Sequence, residues 1–189
     1  MRLRYDVRLQ ARGFPLTGQG TLDWRHDGQA YEARLELTSL AGTRSQHSAG
    51  RLTPRGLAPE RYVERARREE STTFHRDTGR VSFSGGQPEA ALAAGMQDRL
   101  SLQLQLGALL AADEAARRPG QVLEVPVATT HDTATWPFRV EGQEELRLPG
   151  GHQTAWRLQR LPRDPADQKL ELWLSPSQAY VPVRLRLTQ

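Results

Sequence analysis

The chain has 189 residues, 37% of them hydrophobic, and contains no cysteine. This length suffices for one domain with a substantial core, and the absence of thiols excludes disulfides, thiolate metal sites and a cysteine nucleophile. The 26 basic and 22 acidic residues give a formal net charge of +4. Because the two signs are interleaved, we expect solvated strand faces and no contiguous nucleic-acid-binding surface.

The first forty residues predict a three-stranded meander. Residues 3–9 and 31–38 alternate between apolar and polar side chains, and residues 18–25 supply a strand between them. Residues 26–29 read His-Asp-Gly-Gln and predict the second hairpin turn, because Asp-Gly tolerates the positive φ of tight hairpins. The Gly-Gln-Gly at 18–20 is interpreted as a bulge or turn.

Further strand patterns occupy most of the remaining chain. Those in the first half lie at about 44–53, 59–66, 69–76 and 80–84. Those in the second half lie at about 121–128, 134–141, 143–148, 152–161, 169–175 and 181–188. The sequence shows no linker or repeat that divides it, so we predict one β-rich domain over residues 1–189.

A segment at about 97–116 has a different character and predicts the only helix. Its leucines from Leu100 to Leu106 have the period of a strand, but a second set also fits a helical stripe: Leu102, Leu106, Leu109 and Leu110. Length favours the helix, since a strand this long would be unusual, and Asp98 is suited to cap its start.

These elements predict a mainly β fold. About 10–12 strands form a large curved antiparallel sheet or open barrel wrapped around the one apolar helix, because a sheet of this size must curl or close to protect its edges. Trp173 is expected on the charged side of its strand, opposite Leu172 and Leu174.

No catalytic motif is recognisable, and no histidines or carboxylates have metal-ligand spacing. We therefore predict no catalytic residue, metal or cofactor. Aromatic residues in curved sheets can line a cavity, and the polar residues at the start of the helix can point into one, although core packing explains both more simply. The candidate cavity residues are Trp24, Trp136, Trp156, Asp98, Arg99, Leu102 and Leu106.

Four strings resemble a bacterial envelope family catalogued as domain-of-unknown-function family 3108. They are Tyr-Asp-Val at 5–7, the segment at 50–60, Gln-Asp-Arg-Leu-Ser-Leu-Gln-Leu-Gln-Leu at 97–106, and Leu-Glu-Leu-Trp-Leu-Ser-Pro at 170–176 with its continuation to 184. The resemblance covers nearly the whole chain. It implies no catalytic residues, and it suggests by fold analogy alone a likeness to the half-barrel lipoprotein carriers of the envelope.

The resemblance also implies a periplasmic or envelope location. Members of the family follow a signal or membrane anchor, which would account for a chain that begins directly in a strand. We expect that the chain is a fragment or a mature form whose targeting segment has been removed. No stretch of about 18 apolar residues is present, so the sequence predicts no transmembrane segment.

Two functions follow as hypotheses. The first is a non-catalytic envelope module that binds an apolar or amphipathic ligand (a lipid, lipoprotein or glycan) or a protein partner on the concave face of the sheet. The alternative is an envelope hydrolase with a dispersed site, built from Asp98 and a histidine such as His75 or His131. Nucleic-acid binding is the least expected.

Overall fold

The computed structural model describes residues 1–11, 14–40, 42–162 and 167–188. These residues divide into two compact units. The first comprises Met1–Ser101 and Val127–Thr133, and the second comprises Leu102–Pro126 and Ala134–Gln189. The prediction of a single domain is not tested by this division and stays a prediction.

The first unit is built on an eight-stranded antiparallel sheet whose strands pair in chain order. Its strands are β1 (Arg2–Ala11), β2 (Phe14–His26), β3 (Ala30–Ser39), β4 (Gly42–Thr53), β5 (Gly56–Arg65), β6 (Glu69–His75), β7 (Arg80–Phe83) and β8 (Ala90–Ala91). The predicted meander and the weaker strands after it are therefore confirmed.

The turn between β2 and β3 forms as its sequence predicts. Gly28 has φ +94°, and the Asp27 carboxylate accepts the backbone N–H groups of Gln29 and Ala30 at 2.8 Å each. By contrast, the interpretation of Gly18 and Gly20 as a bulge or turn is wrong. Both lie inside β2, in unbroken register with the strands on either side.

The second unit contains a sheet with the order β10, β11, β12, β13 and β14. These strands are Val122–Ala128, Thr133–Leu148, Gly151–Arg160, Lys169–Ser175 and Val181–Thr188. The two strands predicted at 134–141 and 143–148 are one strand, because β11 continues through a register shift at Gly142, where φ is +133°. A bulge of this kind interrupts the alternation without ending the strand.

The one α-helix, α1, spans Ser101–Ala112 and is shorter than the predicted 97–116. Gln97 and Asp98 form a two-residue strand, β9, that pairs in parallel with Val127 and Ala128. Two adjacent parallel strands are usually joined by a helix, as β9 and β10 are here. The sequence around Gln97 and Asp98 does not reveal this pairing, because β10 is distant in the chain. This parallel pair is an addition to the mostly antiparallel arrangement that the sequence predicted. No helix in the described ranges has the length and apolar character needed to cross a membrane.

The mainly β fold with one apolar helix is thus confirmed. Within the described residues 14 strands form two sheets, whereas the sequence predicted about 10–12 strands in one curved sheet or open barrel. The helix packs tightly within the second unit. Leu102, Leu106 and Leu110 are fully buried, and the backbone at Gly107 lies against the carbonyl of Tyr180. A Cβ at Gly107 would come 2.3 Å from that oxygen, so glycine permits the approach.

Candidate functional site

A buried polar network surrounds Asp98 in the first unit. The Asp98 Oδ1 atom accepts the backbone N–H groups of Leu100 at 2.9 Å and Ser101 at 2.7 Å. In return, the backbone N–H of Asp98 donates to Ser101 Oγ at 2.9 Å. This reciprocal pattern satisfies otherwise unpaired donors at the start of a helix, so the predicted capping role of Asp98 is present.

Two residues of the first sheet complete this network. Ser48 on β4 donates its hydroxyl to Asp98 Oδ2 at 2.5 Å, and the Tyr31 hydroxyl on β3 lies 3.0 Å from Ser48 Oγ. Asp98, Ser48 and Ser101 are 0% exposed and Tyr31 is 3% exposed. Burial raises the pKa of Asp98 to about 6, against the hydrogen bonds that favour its charged form. Because no member reaches solvent, this network holds the start of the helix and is closed to a substrate.

The histidines of the hydrolase alternative lie among other partners. His75 Nε2 lies 2.8 Å from Ser82 Oγ, and His131 Nδ1 lies 3.5 Å from Thr130 Oγ1. Asp98 has its hydrogen bonds with Ser48, Leu100 and Ser101. The described contacts therefore do not bring Asp98 and a histidine together as an acid–base pair.

The inner face of the first sheet carries an apolar region on β1, β2 and β3. This is the face on which four side chains are buried: Leu22, Tyr31, Ala33 and Ser48. Its side chains alternate with charged or polar residues of the opposite face. We call six of them the apolar floor: Leu3, Tyr5, Val7, Leu16, Leu35 and Leu37. All six are only half-buried, in contrast to Leu22 and Ala33 nearby. The apolar floor is therefore a partly accessible surface, and an accessible apolar patch often marks a binding site.

Gly20 lets the side chains of the apolar floor converge. A Cβ at Gly20 would lie 2.8 Å from Leu37 Cδ2 and 3.3 Å from both Tyr5 Cβ and Val7 Cγ2. These three side chains therefore occupy the space in which a side chain at position 20 would lie. The sequence signal for this feature was the Gly-x-Gly string in β2. Which side chains cover Gly20 depends on the cross-strand register, which places it opposite Tyr5 and Leu37.

The same face becomes polar on β4, β5 and β6. Arg44 lies directly opposite Leu37, and Gln46 lies opposite Leu35. Glu64 follows opposite Gln46 on the next strand, and Glu70 follows opposite Glu64. Directly opposed residues of antiparallel strands project from the same side of the sheet. We call Arg44, Gln46, Glu64 and Glu70 the polar strip.

The interior of the polar strip is hydrogen-bonded, whereas its Arg44 end is open. Gln46 Nε2 donates to Glu64 Oε1 at 3.0 Å, and Arg99 Nη1 lies 3.6 Å from the same oxygen. Arg44 is exposed, and no carboxylate of the described residues lies within ion-pair distance of it. An exposed cation with no counter-ion among the described residues thus stands beside the apolar floor.

The outer face of β1 to β4 carries paired, solvated charges, as the interleaved sequence predicts. Arg2 Nε lies 2.7 Å from Asp23, Arg34 lies 3.3 Å from Glu36, and His47 lies 2.8 Å from Glu32. Exposed ion pairs of this type contribute little to stability. This face offers alternating charges of both signs and no contiguous basic surface.

The seven candidate cavity residues fall into two sets. Trp24 lies half-buried on the inner face of the first sheet, stacked on Tyr31 with ring centroids 5.2 Å apart, and Asp98 and Arg99 belong to the same unit. The second unit holds Leu102 and Leu106, which are fully buried, Trp136, which is 7% exposed, and Trp156, which is half-buried. The structure joins Trp24 to Asp98 through Tyr31 and Ser48; a single cavity lined by all seven stays a prediction.

The Trp136 ring is covered by a cationic side chain of the second unit. The Arg160 guanidinium lies 4.3 Å from the centre of its ring, and Arg160 pairs with Asp167 at 2.5 Å. Arg160 itself is 6% exposed. A buried cation held between an aromatic ring and a carboxylate is a structural arrangement, because both partners compensate its desolvation.

A charged cluster that was not predicted from the sequence surrounds Trp173 in the second unit. This residue lies on the charged side of β13, as predicted, yet it is only 2% exposed. Its indole N–H donates to Glu144 at 2.8 Å, and the guanidinium groups of Arg157, Arg184 and Arg186 lie 5.8, 4.9 and 5.4 Å from the ring centre. The stems of long cationic side chains bury an aromatic ring in this way while their charged ends reach solvent.

The carboxylates of this cluster are held by its cations. Glu171 is 1% exposed and lies 2.6 Å from Arg157, 3.6 Å from Arg186 and 3.7 Å from Lys169. The hydrogen bond from Trp173, together with Arg157, lowers the pKa of Glu144. The sequence carries no local signal for this cluster, because the alignment of Arg157, Trp173 and Arg184 depends on the register of three paired strands.

The part of the chain that the structure describes contains no candidate metal-binding site. Within those residues, no cluster of three or more histidine, aspartate or glutamate side chains could hold an ion. On the inner face of the first sheet, the accessible surface is the apolar floor with the polar strip beside it.

Comparison with known proteins places the chain in a family. No curated protein and no solved structure matches it. One family model, described as "Protein of unknown function (DUF3108)", matches residues 4–189 and thus essentially the whole chain. The chain belongs to this DUF3108 family, as the four strings of its sequence suggested.

Proposed function

We propose that this protein is a non-catalytic binding module of the cell envelope that holds an anionic amphipathic ligand on the inner face of its first sheet. The observation that carries the proposal is the change of character along one face, in which the half-buried apolar floor meets the polar strip at the pair Leu37–Arg44. An apolar surface with a few fixed polar groups at its margin is the usual composition of a small-molecule site.

The apolar floor supports binding of a hydrocarbon chain. Its six side chains retain solvent exposure in the folded protein, so a ligand that covers them removes further apolar area from water. Each square ångström so removed contributes about 25 cal/mol. Because Gly20 has no side chain, Tyr5, Val7 and Leu37 form one continuous surface.

The polar strip supports an anionic head group. Arg44 is the member of the strip next to the apolar floor, and it is exposed. The acid nearest to it on the strip, Glu64, is already engaged by Gln46 and Arg99. A carboxylate or phosphate placed at Arg44 would form a charge-assisted pair while the attached chain lies over Leu37.

The periplasmic location belongs to this proposal as well. Its support is the resemblance to an envelope family whose members follow a signal or membrane anchor. A carrier or sensor of amphipathic molecules fits that compartment, because such molecules need a protein surface to pass between membranes.

Binding of palmitate to the purified chain tests the proposal. We expect saturable binding, with Leu37→Asp weakening the affinity at least about tenfold because it places a carboxylate in the apolar floor. Arg44→Glu should weaken palmitate binding but leave binding of the uncharged alcohol hexadecanol unchanged. Thr38→Asp, one residue along β3 on the opposite face, is the matched control and should bind as the parent does.

Two results would overturn the proposal. One is an absence of saturable binding of palmitate and of lipids from an envelope extract, measured by native mass spectrometry on the folded protein. The other is equal weakening by Leu37→Asp and Thr38→Asp, which would show that the apolar floor is not the binding surface.

A further inference from the structure

The last strand of the second unit, β14 (Val181–Thr188), is the edge of its sheet and pairs with β13 on one side. It exposes two large apolar side chains, Leu185 at 38% and Leu187 at 48%. Edge strands with free backbone groups and apolar side chains are templates for pairing with another strand.

Leu185 and Leu187 extend rows that already exist in the sheet. Leu185 lies opposite Leu172, and Leu187 lies opposite Leu170. Leu172 is 0% exposed and Leu170 is 7% exposed, so burial decreases from β13 to the edge. A further strand beside β14 would continue both rows and cover the two exposed leucines.

The other face of β14 carries positive charge. Arg184 and Arg186 project from this face over Trp173, and Arg157 and Lys169 lie in the same cluster. Four cationic side chains there face the two carboxylates of Glu144 and Glu171. Of these four cations, Arg184 and Arg186 lie on the edge strand itself, so a strand added to β14 would place its side chains next to them.

We propose that β14 is a docking edge for an extended segment of a partner protein in which apolar and acidic residues alternate. Such a segment would add to the sheet as its next strand, with main-chain hydrogen bonds to β14, apolar residues beside Leu185 and Leu187, and carboxylates beside Arg184 and Arg186. Strand addition of this kind takes its affinity from the backbone and its specificity from alternate side chains.

A second copy of this chain is disfavoured as the occupant. In the antiparallel register that pairs Leu185 with Leu187 of a second copy, the Arg186 side chains of the two strands would lie directly opposite each other. Like charges directly opposed across a strand pair are destabilising. The charge pattern therefore selects an acidic partner. This inference concerns the second sheet and is independent of the ligand proposed for the first sheet.

Two labelled peptides provide the test, one alternating leucine with glutamate and one alternating leucine with lysine. We expect fluorescence anisotropy to show saturable binding of the acidic peptide, at least about tenfold tighter than the basic one at low salt. Since both peptides meet the same unaltered protein, this comparison does not depend on the folding of a variant. Amide hydrogen exchange should slow in β14 when the acidic peptide is bound.

Charge-reversal variants extend the test to the protein side. Arg186→Glu should lower affinity for the acidic peptide, whereas Arg147→Glu, an exposed arginine on β11, should not. Equal binding of the two peptides, protection confined to other strands, or an acidic peptide that does not bind would overturn the inference. Formation of a dimer in solution with slowed exchange at β14 would overturn it in favour of the second copy.

Discussion

Replacing Asp98 with asparagine should remove most of the pH dependence that this residue gives to the folded state. The buried carboxyl has a pKa of about 6, whereas its ordinary value is 3.8. Between these two values the folded protein binds a proton more strongly than the unfolded chain. The resulting stabilisation is fully present below pH 3.8 and is lost as the pH rises through about 6.

The size of this effect follows from the shift. One pKa unit corresponds to about 1.4 kcal/mol, so the step from 3.8 to about 6 amounts to about 3 kcal/mol. Asparagine keeps the oxygen that accepts the N–H groups of Leu100 and Ser101, and it does not ionise. The difference in unfolding free energy, parent minus variant, should therefore fall by about 3 kcal/mol from acid to neutral pH.

Urea denaturation at several values from about pH 3.5 to about pH 7 measures this difference. Asp27→Asn is a control of opposite sign, because hydrogen bonds from Ala30 and Gln29 lower the pKa of Asp27. Its stabilisation is present above the unfolded pKa and is lost as the pH falls. A parent-minus-Asp98→Asn difference that stays constant with pH would refute the argument that burial raises the Asp98 pKa.

Three further substitutions test the packing of the second unit by chemical denaturation. Gly107→Ala should destabilise the fold by about 1–3 kcal/mol, since its Cβ would lie 2.3 Å from the Tyr180 carbonyl oxygen. The control Gly150→Ala, whose Cβ would have no atom within 4 Å, should be near neutral. Equal effects of the two substitutions would contradict the close approach at Gly107. Glu171→Ala should destabilise by about 1–3 kcal/mol, because its partly exposed cationic partners lose a shared buried counter-ion, and a loss below about 0.5 kcal/mol would argue against that pairing. Leu106→Ala should cost about 2–5 kcal/mol, as expected for a fully buried leucine, and a smaller loss would mean that the helix is not part of the core.

The candidate site illustrates how far sequence reasoning reaches. Trp24 and Asp98 were singled out from the sequence, and both lie in the first unit, where Tyr31 and Ser48 link them. Arg44 was not singled out, because its neighbours along the chain are polar. Its significance arises only from its position opposite Leu37.

The charged cluster of the second unit shows the same limit. Alternation placed Trp173 on the charged side of β13. The structure buries it, because Arg157 and Arg184 come from neighbouring strands and lie over its ring. The burial of one side chain by others from different strands depends on register, which no local pattern contains.

What the sequence alone determined is therefore local. The two-residue period fixed most strand positions, and the Asp27–Gly28 pair fixed a turn, because strand alternation and turn conformation depend on adjacent residues. Only the tertiary structure decided that the strands form two sheets, that Gln97 and Asp98 begin a parallel crossover, and that an apolar floor meets a cation at Leu37 and Arg44. Each of these depends on pairing between segments distant in the chain, where the free energy of packing outweighs local preference.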